Sequence, residues 1–274
     1  MAELTQAMRH ASILQRLADE GEVLVEDLAP RFGVNTVTVR RDLAALERRG
    51  LIHRTHGGAI LSRGGKIEFA FQTRGQARAA EKEAIGQVVA DLLQPGISVC
   101  LDTGTTTLAV ARHLRRIPRL RVVTSSLVIA AVLYPCDNIE LVILGGVVRK
   151  GSPDLFGMLT EENIRRFNLD VAVIGADAAT HQGVFTTDVG ISRVSQSMLA
   201  AAAKVILAID SSKFEARAFV QFASWTDIDH VVTDDAAPAG ARQWLEKIVG
   251  TVTYVPVRSA DALRASKSIP GDRP

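Results

Sequence analysis

The sequence predicts a chain in two parts: a small three-helix domain carrying a β-hairpin, then a larger α/β domain with a mainly parallel sheet. Three observations predict it. Within residues 1–61, apolar positions recur at helical spacing and each run stops at a glycine. From Glu81 onward, apolar runs of strand length alternate with amphipathic helical stretches, the pattern of a parallel sheet with helices on its faces. Between the two, residues 62–80 lose this periodicity and gain Gly, Arg and Gln, as a linker would, with some helix allowed.

Taking the first part in order, Ala7, Ala11, Leu14, Leu17 and Ala18 fall on one face of a helix that Gly21 ends. Val25, Leu28, Ala29 and Phe32 repeat at i, i+3, i+4, i+7, a second amphipathic helix closed by Gly33, which suits the left-handed conformation of a tight turn. Asn35 offers a side-chain oxygen as N-cap of a third helix, Thr36 to Arg49. Residues 51–61 then read as two short strands around Gly57-Gly58, a wing.

In the second part, residues 81–255, the strand candidates are Ile97 to Leu101, Arg121 to Val123, Ile139 to Leu144, Val171 to Ile174, Val205 to Ile209, His230 to Thr233 and Thr251 to Val255. The tail, 256–274, is polar with two prolines and is expected to be disordered.

Composition narrows the class. The 274 residues are 47% hydrophobic and 23% charged, as in an ordinary globular protein. Net charge is only +2, yet Arg31, Arg40, Arg41, Arg48, Arg49, Arg54, Arg63 and Lys66 face only Asp42 and Glu47 between residues 31 and 66. Phosphate responds to such local charge rather than to the total. Cys100 and Cys136 form no CxxC and have no histidine cluster beside them, so neither metal nor disulfide is expected. No run of about 18 apolar residues occurs and no basic start precedes an apolar stretch, so the expected location is cytoplasmic, with no membrane partner.

On the third helix, Val39, Leu43 and Leu46 face the core, which turns Thr38, Arg41, Ala45 and Arg48 outward with Arg40 flanking. Guanidinium groups there can pair with guanine edges in a major groove, and threonine can meet a thymine methyl or a phosphate. The candidate DNA contacts are Thr36, Thr38, Arg40, Arg41 and Arg48, with Arg54, His56 and Gly57 of the wing on the backbone. The partner implied is a double-stranded operator read by a homo-oligomer, a dimer or tetramer.

These same residues carry a family resemblance. The run Val34 to Leu43, with Leu46-Glu47, Gly50-Leu51-Ile52 and His56-Gly57-Gly58-Ala59, resembles the signature of DeoR-type bacterial transcriptional regulators. It continues through Glu81-Lys82, Leu101 to Thr106, Leu144-Gly145-Gly146, Ile174 to Asp177 and Asp210 to Phe214. The resemblance implies a winged helix-turn-helix joined to a sensor domain similar in fold to sugar-phosphate isomerases. One stretch departs from it: Gly190 to Ser197 lacks the glutamate and Lys-Arg pair usual in the family, with Arg193 the nearest substitute.

Independently of family, most of the strand candidates run into small or polar residues, and ligands of open α/β sheets bind beyond the carboxyl ends of strands. The candidate effector contacts are Asp102, Gly104, Thr105, Thr106, Thr124, Ser125, Gly145, Gly146, Asp177, Arg193, Asp210, Ser212 and Lys213, read as lining one pocket. Gly104 to Thr107 would present amides and hydroxyls to a phosphate at a helix N-terminus, Lys213 a countercharge, and the aspartates acceptors for sugar hydroxyls. The aspartates also suit turn formation. The function predicted is a regulator, more a repressor than an activator, controlled by a phosphorylated sugar-like effector, with no cofactor and no catalytic residue. The competing reading is a sugar-phosphate isomerase with an added DNA-binding module, its base one of the aspartates.

Overall fold

The computed structural model describes residues 4–62, 71, 73–149 and 152–257. The tail expected to be disordered lies, beyond residue 257, outside the described residues, as does most of the linker up to residue 70. Chain contacts divide the molecule into two compact units, one built on residues 1–77 and one on 78–147 with 154–274.

The first unit contains α1 (Gln6–Glu20), β1 (Glu22–Leu24), α2 (Val25–Phe32), α3 (Thr36–Arg48), β2 (Ile52–Arg54) and β3 (Gly58–Leu61). Thr5 caps α1 by accepting from the Met8 amide, and Gly21, at φ 83°, ends it. Its buried face is Arg9, Ile13, Leu14 and Leu17. Ala7, Ala11 and Ala18 are exposed, so the expected face is turned by about a residue: the larger Ile13 outcompetes the alanines for the core. The α2 face is the predicted one, and Gly33 is left-handed at φ 65°. Ile13, Leu28, Val39, Leu43, Leu46 and Ala59 are all 0% exposed at the centre of this unit.

The strands form an antiparallel sheet in the order β1-β3-β2. β1, only three residues between two helices, is too short to register as a period-two pattern. Its pairing closes one edge of the wing, and it decides the fate of Gly58. A Cβ there would lie 1.8 Å from the Val23 carbonyl oxygen, so glycine is required by close approach.

The second unit is built on a seven-stranded, wholly parallel sheet. Its order is Thr251–Val255, His230–Asp234, Ala202–Ala208, Leu169–Ile174, Ser98–Leu101, Leu120–Thr124, Ile139–Ile143. Each predicted strand is present. Their buried runs, such as Val99 to Leu101 and Val173-Ile174 at 0%, are what a sheet covered on both faces demands. Helices Ala79–Asp91 and Thr105–Leu114 pack tightly together, and a Cβ on Gly86 would come within 2.7 Å of the Ala109 backbone. A second, antiparallel sheet of Ala178–Thr180, Gly183–Thr186 and Val220–Ala223 was not apparent in the sequence.

Candidate nucleic-acid interface and effector crevice

The third helix is fixed from both ends. Asn35 Oδ1 accepts from the Thr38 amide at 2.7 Å and from the Thr38 hydroxyl at 2.9 Å, satisfying an otherwise orphaned first-turn donor. Behind the helix, Asp42 is 1% exposed and receives Arg9 Nε at 2.7 Å, Arg9 Nη2 at 3.3 Å and Gln6 Nε2 at 3.4 Å, with His10 Nε2 at 3.1 Å. Burial pushes this carboxyl up, but the Arg9 guanidinium and His10 outweigh it and hold it below its ordinary value. The pair locks the roll of α3 on α1, a role the sequence reading did not give to Asp42. Glu47 Oε1 accepts from the Arg54 amide at 3.2 Å and ties helix to wing.

With the roll set, Arg40, Arg41 and Arg48 are exposed, as are Arg54, His56 and Gly57 of the wing. Among the described residues, none of these four guanidinium groups has an ion-pair or hydrogen-bond partner for its side chain. One expectation is corrected in detail. Thr36 and Thr38 are half-buried, and the Thr38 hydroxyl donates to Asn35 instead of standing free. Gly58 is buried against Val23, so of the two wing glycines only Gly57 can approach a phosphate; its carbonyl already accepts from the Val25 amide at 2.8 Å. The sequence reading missed two exposed residues of this face, His53 and Val37.

In the sheet, strand order reverses between Ser98–Leu101 and Leu169–Ile174, the switch point where a crevice opens in such folds. Asp102 sits there, 4% exposed. Its Oδ2 accepts from the Gly175 amide at 3.2 Å, while Oδ1 is buried with no partner among the described residues. Burial, with Asp154 and Asp177 nearby, pushes this carboxyl up to about 7 against the pull of the Thr103 and Gly175 amides. Asp177 Oδ2 accepts from the Thr187 amide at 2.8 Å and from the Thr186 and Thr187 hydroxyls at 3.0 and 2.9 Å. Burial opposes these bonds, but together with the Lys213 charge they prevail and hold Asp177 below its ordinary value. The fully buried Ser125 hydroxyl, one strand away, also has no partner among the described residues.

Helix Thr105–Leu114 starts at Gly104, at φ 144°, with no side-chain cap. Helices Leu127–Leu133 and Val189–Ala200 are capped by Ser126 and Asp188. Val25–Phe32, Ala79–Asp91, Met158–Ile164 and Ala239–Ile248 also lack a side-chain cap, so what sets helix Thr105–Leu114 apart is its place, directly after Asp102 at the switch point.

Other candidates are placed differently. The Thr124 hydroxyl donates to the Leu101 carbonyl at 2.8 Å and accepts from the Ser126 amide, bracing neighbouring strands. Asp210, 1% exposed, caps the short helix Ser211–Phe214 through the Ser212 amide at 3.2 Å and the Ser212 hydroxyl, the turn-forming alternative. Gly145 and Gly146 pack on Thr160, whose hydroxyl donates to the Gly145 carbonyl at 2.7 Å. Arg193 is two-thirds exposed and faces Glu161 at 3.4 Å. The strands bearing Gly145 and Asp210 are four spacings apart, roughly 19 Å at about 4.8 Å each. Asp154, 1% exposed beside Asp102, was missed because its stretch has no periodicity.

Comparison with known proteins agrees with this two-part arrangement. Residues 9–63 match the DeoR-like helix-turn-helix domain, and residues 77–235 match the DeoR C terminal sensor domain. The HTH-type transcriptional repressor CsqR of Escherichia coli (strain K12) is 32% identical over 90% of this chain and 94% of its own length. The glycerol-3-phosphate regulon repressor of the same strain is 31% identical over 88% of this chain and 96% of its own. Among solved structures, ribose 5-phosphate isomerase A from Neisseria gonorrhoeae aligns at 18% identity and TM-score 0.36, over 50% of this chain and 53% of that one, a likeness too distant to carry a conclusion. Two family models matched in tandem, and relatives similar along nearly their whole length, make the chain a member of the DeoR family of DNA-binding transcriptional regulators.

Proposed function

We propose that the chain is a cytoplasmic repressor of a carbohydrate or related catabolic operon, whose α3 enters the operator's major groove and whose grip is relaxed by a phosphorylated sugar-like effector. The observation carrying the DNA half is the set of guanidinium groups, Arg40, Arg41, Arg48 and Arg54, unpaired among the described residues and exposed on a recognition helix and wing whose core and ion pair fix their direction. Arg41 and Arg48 are the candidate guanine contacts, with Arg54, His56 and Gly57 on phosphates. Thr38 supports the helix start through its amide and hydroxyl, both bound to Asn35 Oδ1.

For the effector, the reading rests on the uncapped start of helix Thr105–Leu114 beside the orphaned Asp102 carboxylate oxygen and Ser125 hydroxyl. The amides of Thr105 and Thr106 receive the phosphate, Lys213 supplies positive charge beside Asp177, and Asp102 and Ser125 meet hydroxyls of the ligand. Two copies of the chain reading inverted half-sites give the operator its symmetry. The effector acts by binding one arrangement of those copies more tightly than the other.

A thermal-shift screen of the full chain with sugar phosphates and their unphosphorylated parents tests the effector. Ligand at about a hundred times its Kd adds roughly 2.7 kcal/mol, a readable shift. The phosphates should raise the melting temperature and weaken binding to the gene's own upstream DNA, and the parents should do neither. If no phosphate shifts melting or DNA affinity, the effector assignment fails.

A further inference from the structure

We propose that Val37 is a specificity-determining residue of α3, packing its isopropyl group against the C5-methyl of a thymine in the operator; the inference rests on α3 being the helix that reads DNA. Val37 is 51% exposed in the first turn of α3. Val37, Arg41, Ala44 and Arg48 recur at i, i+4, i+7 and i+11, a stripe opposite the fully buried Val39, Leu43 and Leu46. Single exposed valines are common on protein surfaces. This one differs in its place: it shares a stripe with exposed, unpaired Arg41 and Arg48 and stands at the end of a recognition helix that faces base edges.

Its neighbour Thr38 is the more obvious reader by sequence, but its hydroxyl is bound to Asn35 Oδ1 and its side chain is half-buried. Val37 has no polar atom, so the one major-groove feature it can recognise favourably is the thymine methyl group. A β-branched side chain in a helix holds a single χ1 rotamer, so little conformational freedom is lost on contact. The flanking arginines meet the phosphates and guanines around it, and the valine adds discrimination against cytosine.

The test pairs the removal of one methyl on the DNA with truncation of the valine. An operator is first selected from random duplex DNA with the full chain, and each thymine is then replaced in turn by deoxyuridine. The wild type should lose about three- to fivefold in affinity at one thymine per half-site, the worth of one buried methyl group. Val37→Ala should bind the thymine and deoxyuridine operators equally at that position while keeping its sensitivity elsewhere. Val37→Thr, which retains a methyl, should restore part of the difference. The inference is overturned if the wild type ignores every thymine methyl, or if Val37→Ala keeps the full sensitivity. A selection that enriches no sequence overturns the α3 reading itself, and Val37 with it. An enriched operator without Val37-dependent methyl sensitivity removes only the role of Val37.

Discussion

Two aspartates, one in each unit, are nearly equally buried, Asp42 at 1% and Asp102 at 4%, and their carboxyl groups shift in opposite directions. Asp42 has a guanidinium against it, an imidazole beside it and an amide donor in reach, so ionisation is favoured despite burial. Asp102 has two backbone amides, two acidic neighbours and one oxygen with no partner among the described residues, so burial prevails. The first carboxylate is satisfied internally and fixes a helix; the second keeps one oxygen unengaged among the described residues. At the helix starts, α3 is capped by Asn35, while α2 and helix Thr105–Leu114 have no side-chain cap.

The largest effect expected from this contrast is at Asp42. Asp42→Ala leaves Arg9 buried without its counterion and should cost about 3–5 kcal/mol, read by chemical denaturation of the full chain. A loss under about 1 kcal/mol would make the pair an ordinary surface contact. Because its folded-state pKa is lowered, Asp42 contributes stability above its unfolded-state pKa and loses it as pH falls through the lower folded value, so the deficit of Asp42→Asn should shrink only in strong acid.

Asp102 should behave with the opposite sign. Its folded-state pKa is raised to about 7, so its contribution is complete below the ordinary carboxylate value and is lost as pH rises through about 7. Asp102→Asn imitates the protonated acid and should therefore stabilise the chain at about pH 8, on the order of 2 kcal/mol, with little gain near pH 4, while weakening any effector response. Equal melting shifts at both pH values would remove the basis for the contrast. The smallest effect is at the cap: Asn35→Ala should cost about 1 kcal/mol, read as a shift in the denaturation midpoint, because Thr38 loses the acceptor for both its donors.

Much of this was legible in the sequence, for physical reasons. Parallel strands buried on both faces must be continuous apolar runs, so the seven sheet strands stood out. The α2 face and the buried side of α3 were read correctly because Leu28, Phe32, Leu43 and Leu46 are large and regularly spaced. What depends on partners distant in sequence was not visible. β1 exists because Glu22 to Leu24 pairs with Gly58 to Ile60, and the role of Asp42 because Arg9 reaches it from another helix. In the crevice, the sequence could place polar residues after strands but not say that the Asp210 carboxylate and Thr124 hydroxyl are engaged locally, nor that Gly145 stands across the sheet from Asp210. The order of strands, which fixes the switch point, is a property of the assembled sheet.

The central claim, that the exposed stripe of α3 reads DNA, is tested most directly at Arg41. Binding of the full chain to a selected operator and to scrambled duplex, followed by fluorescence anisotropy across a salt series, should show Arg41→Ala losing about 1–3 kcal/mol on the operator with relaxed preference at one base pair. The thermal stability should be unchanged, since the side chain is exposed and without a partner among the described residues. Operator affinity unchanged in Arg41→Ala, and likewise in Arg40→Ala and Arg48→Ala, would contradict the assignment of α3 as the reading helix.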